Sequence, residues 1–285
     1  MSTNGNIEKF GYEQSLKRAL PLGSLVFFGF AYLSVTTVFS TYGLVSNMTH
    51  GMLALSYIVA TAAMFFTALS YGRMAAAYPI AGSTYSYTQR SINPHIGFLS
   101  GWAILMDYLL IPMICCLLGA IFFAPYFPGV PSWIWIVLLM VLSTAINYFG
   151  ISVTALVNNT VIILQLVFAV GFIIFIARWL LTGNGAATFF DAGAILNPVE
   201  FNKPGMGWGI IFSGASILAL SFLGFDAVST MAEEAINPEK NLGRATLIIC
   251  LGAGVFFITL SYLMQLAWPT GWMEFKVIDS GAQEL

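Results

Sequence analysis

The chain has 285 residues, 59% of them hydrophobic and only 8% charged, with a formal net charge of −2. Soluble domains carry about 25% charged residues, and a soluble core of this size has no room for so much apolar surface. Composition therefore excludes an ordinary soluble protein, and the slightly acidic balance excludes a nucleic-acid binder. What remains is an all-α polytopic membrane protein.

Residues 1–21 read as a cytoplasmic N-terminus. They are mostly polar, with Glu8, Lys9, Glu13, Lys17 and Arg18, and lack the pattern of a secretory signal. A membrane-crossing helix needs about 20 apolar residues. Seven stretches qualify in chain order, at roughly 22–46, 52–71, 97–124, 133–150, 156–180, 208–231 and 245–268. The loops then sort by side. Lys9, Lys17, Arg18, Arg73, Arg90, Lys240 and Arg244 fall on the N-terminal side, against Arg178, Lys203 and Lys276 on the other. Cations gather on the cytoplasmic face of membrane proteins, so the N-terminus is expected inside. The membrane expected is the cell's inner (plasma) membrane, with its lipid as a partner.

The first stretch contains Tyr32-Leu33-Ser34-Val35-Thr36-Thr37-Val38. β-branched and hydroxyl residues lose rotamer freedom in helices or compete for backbone hydrogen bonds. A helix broken here lines a cavity; a helix that stays whole bonds these hydroxyls back to its own carbonyls. Both remain open. Residues 72–96 are too polar to span, and Gly82, Ser83, Tyr85, Tyr87 and Arg90 fit a short interfacial helix. In the third stretch Asp107-Tyr108 precede Pro112, which frees a carbonyl and kinks a helix. Asp107 is either a proton or cation site or a protonated acid holding a neighbouring helix.

Residues 181–207 form the longest external loop. In the sixth stretch, Ser221-Phe222-Leu223-Gly224-Phe225-Asp226 sets glycine and aspartate within one turn. That favours a discontinuous helix, whose half-helix ends bind ions and polar groups near the midplane. A buried carboxylate costs roughly 2.5–3.5 kcal/mol at membrane depth on insertion scales, and neither Asp107 nor Asp226 has a Lys or Arg within its stretch. For Asp226 the alternative is a satisfied carboxyl bonded to a neighbouring helix. For Gly214 and Gly224, taken alone, close helix packing is the expected role. Residues 269–285 read as an external tail. Cys115, Cys116 and Cys250 have no metal or disulfide spacing, His50 and His95 stand apart, and no phosphate-binding loop appears. No cofactor or metal is expected, and the chain does not read as an enzyme; an intramembrane enzyme would rest on two acids alone.

Residues 78–102 (Tyr-Pro-Ile-Ala-Gly-Ser-Thr-Tyr-Ser-Tyr … Asn-Pro-His-Ile-Gly-Phe-Leu-Ser-Gly-Trp), residues 222–240 (Phe-Leu-Gly-Phe-Asp-Ala-Val … Glu-Glu-Ala-Ile-Asn-Pro-Glu-Lys) and Gly101-Trp102 … Asp107-Tyr108 together resemble signature regions of the amino acid–polyamine–organocation permeases. Within that family the chain looks most like bacterial putrescine importers. The resemblance implies a five-plus-five inverted-repeat fold. Here 22–180 would form the first repeat and 208–268 the start of the second. It implies a secondary active transporter importing an amino acid or a polyamine such as putrescine, coupled to a proton or sodium ion. By position it maps substrate contacts onto Tyr32, Ser34, Val35, Thr36, Thr37, Pro112, Met113, Cys116, Ser221, Phe222, Leu223, Gly224 and Phe225. It maps proton coupling onto Asp226 and Asp107.

Four features depart from the pattern. Ser34-Val35-Thr36 replaces the Gly-Ser-Gly stretch of many amino acid carriers, and Ser40 stands where putrescine importers tend to carry an acid. Gly243 replaces a usual proline. The chain also ends after the seventh stretch, so a C-terminal truncation is expected. Transport would then require missing C-terminal helices or a second chain. A truncated inactive permease and a non-transporting sensor or scaffold are the competing readings.

Overall fold

The computed structural model describes residues 18–33, 35–149, 151–183 and 190–275. The N-terminal segment through Lys17, Ser34, Lys276 and the end of the expected tail lie outside the described residues. Every described regular element is helical: α1 (Leu22–Tyr32), α2 (Thr37–Met48), α3 (Leu53–Ala77), α4 (Ser83–Ser91), α5 (Pro94–Phe123), α6 (Ser132–Tyr148), α7 (Ile151–Leu181), α8 (Pro198–Phe201), α9 (Trp208–Leu218), α10 (Pro238–Ala267) and α11 (Gly271–Glu274), with short 3-10 turns between some of them.

Over their described residues, all seven apolar stretches are mainly helical. Five are long and apolar enough to cross a membrane: Leu53–Ala77, Pro94–Phe123, Leu156–Leu181, Trp208–Met231 and Pro238–Ala267. The first stretch is divided into α1 and α2, which qualify only as a pair, and α6 is a shorter apolar helix of 17 residues. α5 runs through Pro112 without ending. α10 begins at Pro238, ahead of the apolar run, because Asn237 turns the chain at φ 49° and proline suits the first helical position. Its first turns carry Glu239, Lys240 and Arg244, which an apolar window does not register.

The chain packs as two compact units. The first takes in the described residues of Met1–Ser34, Tyr57–Leu105 and Ala219–Phe256. Its core includes Leu25, Tyr57, Phe222, Val228, Leu242 and Ile249, all fully buried. Backbone bonds tie the segment before α1 to the turn after the sixth stretch: Ala19 and Leu20 N–H donate to the Glu234 carbonyl at 2.9 and 3.0 Å, and Ile236 N–H donates to Leu20 at 2.9 Å. Small residues let helices touch. A Cβ added at Gly243 on α10 would stand 3.0 Å from the Gly72 α-carbon on α3. That contact accounts for glycine at 243, since a proline there would press its own Cβ into the Gly72 backbone.

The second unit takes in Val35–Ser56, Met106–Leu218 and the described residues of Phe257–Leu285. Here α9 meets α2 and the start of α3 at Gly214, whose added Cβ would lie 2.8 Å from Ser56 Oγ and 2.9 Å from Thr49. Phe39 packs edge-on to Phe168 and Phe172 with ring centroids 5.3 and 5.0 Å apart. The loop before α9 contains a 3-10 turn, Ala192–Ala194, and the short α8.

Candidate functional site

In the first unit, α1 stops where the hydroxyl-rich run begins. Leu33 is extended, and its N–H donates to Gly29 O at 3.0 Å. The last carbonyls of a helix lack intrahelical donors and carry the negative end of its dipole. Against this end lies the turning point of the sixth stretch. After α9 the chain tightens into 3-10 turns at Ala219–Phe222 and Phe225–Met231, with Gly224 between them at φ 97°, ψ −9°. A Cβ on Gly224 would lie 3.0 Å from the Tyr32 carbonyl oxygen. Close packing is therefore only part of this glycine's role; the left-handed backbone also demands it.

The side chains around that turn form a connected set. Ser221 Oγ and Tyr57 Oη are hydrogen-bonded at 3.0 Å, both buried. Phe222 is fully buried, and Phe225 is buried with its ring 5.4 Å from that of Tyr71. Leu223 is exposed. Asp226 is half-buried, and Ser83 Oγ donates to its Oδ2 at 3.4 Å. Gly82, at φ 115°, and Ser83, at φ 49°, make the turn that starts α4 and brings Ser83 to the acid. Tyr71 Oη bonds the adjacent Thr84 Oγ1. Burial pushes the Tyr87 phenol on α4 up to about 12, so it stays protonated at neutral pH. Ser229 Oγ donates to the Asp226 backbone carbonyl at 2.6 Å.

The structure thus brings Tyr32, Ser221, Phe222, Gly224, Phe225 and Asp226 into one unit. It adds Tyr57, Tyr71, Ser83 and Thr84, which the sequence reading did not select. The signal in the sequence is the polar Gly82-Ser83-Thr84 run, from which only an interfacial helix is expected. Chemically, the set offers helix-end carbonyls, hydroxyls, aromatic faces and one carboxylate, which suit a cation or ammonium rather than an anion.

The other candidates belong to the second unit. Val35 is buried, Thr36 precedes α2 without a side-chain cap, and Thr37 opens that helix. Within α2, Ser40 and Thr41 hydroxyls donate back to Thr37 O at 2.8 and 3.1 Å. The helix is thus interrupted between Tyr32 and Thr37, and two hydroxyls just beyond the run fold back onto the Thr37 carbonyl. On α5, Asp107, Pro112 and Met113 are exposed and Cys116 is half-buried. Ser34 lies outside the described residues. Among the described residues, no group of three or more His, Cys, Asp or Glu side chains is placed to hold a metal.

The sequence profile of the family described as "Amino acid permease" matches residues 25–274. The chain is 36% identical over 270 residues to the low-affinity putrescine importer PlaP of Escherichia coli (strain K12), covering 95% of this chain and 58% of PlaP. It is 27% identical over 272 residues to the branched-chain amino acid permease BcaP of Bacillus subtilis, covering 88% of this chain and 55% of BcaP. It is 31% identical over 206 residues to an uncharacterized amino-acid permease of Schizosaccharomyces pombe, covering 71% of this chain and 34% of that protein. The chain thus spans little more than half the length of the two bacterial relatives. With its long apolar helices, it is a multi-pass membrane protein, and it belongs to the amino acid permease family.

Proposed function

We propose that this chain is part of a secondary active permease that imports a small organic amine or amino acid across the cytoplasmic membrane, with its N-terminus inside, coupled to a proton. The observation that carries this reading is the meeting of two helix breaks. The carbonyl end of α1 at Tyr32 rests on the αL turn at Gly224, and Asp226 follows within one turn. Half-helix ends at a break bind ions and polar groups without exposing backbone to lipid. The exposed end of α1 is negative, so it favours the ammonium of a substrate or a coupling cation. Asp226 would take up and release the proton, with Ser83 orienting its carboxyl. Val35, Thr36, Thr37, Pro112, Met113 and Cys116 are proposed as further substrate contacts, and Asp107 as a second acid. Substrate choice is left between a polyamine, as the name of PlaP says of that protein, and an amino acid, as the name of BcaP says of that one.

The test is uptake by cells carrying Asp226→Asn at the chromosomal gene. Accumulation of labelled putrescine or amino acid under an inward proton gradient should disappear while the protein persists in the membrane. Normal, pH-dependent accumulation would reject the role of Asp226. Competition by diamines but not α-amino acids, or the reverse, decides the substrate class.

A further inference from the structure

We infer that the seam between α3 and α10 in the first unit binds a phospholipid with an anionic headgroup, held by Arg73, Lys240 and Arg244. The two helices run antiparallel. Gly243 on α10 meets Gly72 on α3, where a Cβ added to Gly72 would lie 3.2 Å from the Gly243 α-carbon. About three turns further along α10, Gly254 meets Thr61, which lies equally far back along α3. Each residue of a helix turns by about 100°. In an antiparallel pair, the residue that follows each facing glycine therefore swings to the same flank. Arg73 and Arg244 thus share one flank of the seam, at the level where the backbones touch. Lys240 stands one turn before Arg244 and joins them. Glu239, the acid of the first turn of α10, falls on the opposite flank. All three cations are exposed, and among the described residues none is held in an ion pair.

What lies below the cations selects the partner. The same flank continues into the membrane-spanning length as an exposed apolar row. Phe66 lies two turns before Arg73 on α3, and Leu251 and Val255 lie two and three turns beyond Arg244 on α10. The opposite flank of α10, at Leu242, Thr246 and Ile249, is buried in the unit. Guanidinium forks match phosphate oxygens, and the amino end of α10 adds its positive dipole end. A zwitterionic headgroup carries its own cation, which these three repel. A soluble anion or an acidic protein would leave the apolar row unused, whereas an anionic lipid fills both parts. Basic pockets between membrane helices bind anionic headgroups in this way. The inference needs only that α3 and α10 cross a membrane, so it does not depend on the role proposed for Asp226.

The test is native mass spectrometry of the full chain released from a neutral detergent and titrated with dioleoylphosphatidylglycerol or dioleoylphosphatidylcholine. Phosphatidylglycerol should bind more tightly. Lys240→Gln should weaken it about fivefold, the scale of one cation near an anionic surface. Arg73→Gln combined with Arg244→Gln should weaken it about 25-fold on the same scale. Phosphatidylcholine binding should not change, which also reports that the variants fold. Arg73→Lys with Arg244→Lys keeps the charge and should retain most of the affinity. Arg178→Gln, on α7 in the other unit, should have no effect. Glycerol phosphate, a headgroup without tails, should not displace the lipid at equal concentration. A phosphatidylglycerol with a photoreactive acyl chain should label the peptides that hold Phe66 or Leu251 and Val255. Equal binding of the two lipids, undiminished binding in the double glutamine variant, displacement by glycerol phosphate, or labelling confined to other helices would overturn the assignment.

Discussion

A Cβ placed on Gly224 would stand 3.0 Å from the Tyr32 carbonyl oxygen and 3.2 Å from its carbon. The obstacle is backbone, which cannot rotate aside, and φ at Gly224 is 97°, a region L side chains rarely adopt. Gly224→Ala should therefore cost about 1–3 kcal/mol. Thermal unfolding of the purified chain in detergent measures it. Gly23→Ala is the control, since nothing lies within 4 Å of a Cβ there and alanine is the better helix former. An unchanged melting temperature in Gly224→Ala would contradict the close approach of the two breaks.

The Tyr57–Ser221 bond yields a second prediction, argued from coupling. The two hydroxyls are 3.0 Å apart and buried, from residues 164 positions apart in the chain. Tyr57→Phe and Ser221→Ala should each destabilise by roughly 0.5–1.5 kcal/mol. The double variant should cost clearly less than their sum, because the second change removes a bond already lost. Additive losses would show that the hydroxyls act independently.

Much of the architecture was legible in composition and apolar run length, because lipid forces each spanning segment to satisfy its own backbone as helix. The division of the first stretch was one of two outcomes that the Tyr32–Val38 run left open. The weakening of the sixth could be read from Gly224 beside Asp226. Partner choice could not be read. Ser83 reaches Asp226 across 143 residues, and no local pattern encodes that pairing. Gly214 and Gly224 looked alike in sequence, yet one is a helix contact and the other a positive-φ turn. Nothing local explains glycine at 243, and its partner Gly72 lies 171 positions earlier in the chain. Asp107 stands exposed on α5, and both roles left open for it by the sequence stay open.

Phe222 separates packing from ligand contact. It is fully buried in the first unit, so truncation leaves a cavity. Phe222→Ala should cost about 3–5 kcal/mol, seen as loss of folded protein in detergent. Phe222→Leu keeps most of the volume and should restore folding. If Phe222→Leu folds normally but loses amine binding, the ring itself contacts substrate, with a cation–π attraction of roughly 0.5–2 kcal/mol. If it folds and binds normally, Phe222 only packs.

The loop cluster at Glu200 predicts a pH response. Glu200 Oε1 accepts from Lys203 Nζ and Oε2 pairs with His50 Nδ1, each at 2.7 Å, and His50 stacks on Trp272 at 4.4 Å. Lys203 first, then His50, holds the Glu200 carboxyl below its ordinary value of 4.5. A depressed carboxyl contributes stability that is present above the ordinary value and lost as pH falls through the folded one. The wild-type chain should therefore lose part of its stability below about pH 4.5, by way of α8 and the turn after α2. Glu200→Gln should melt lower at neutral pH and show a flatter profile below that point. Hydrogen exchange at residues 198–203 should rise in the wild type over the same acidic window. Identical acid profiles for wild type and Glu200→Gln would show that this carboxylate does not fasten the loop.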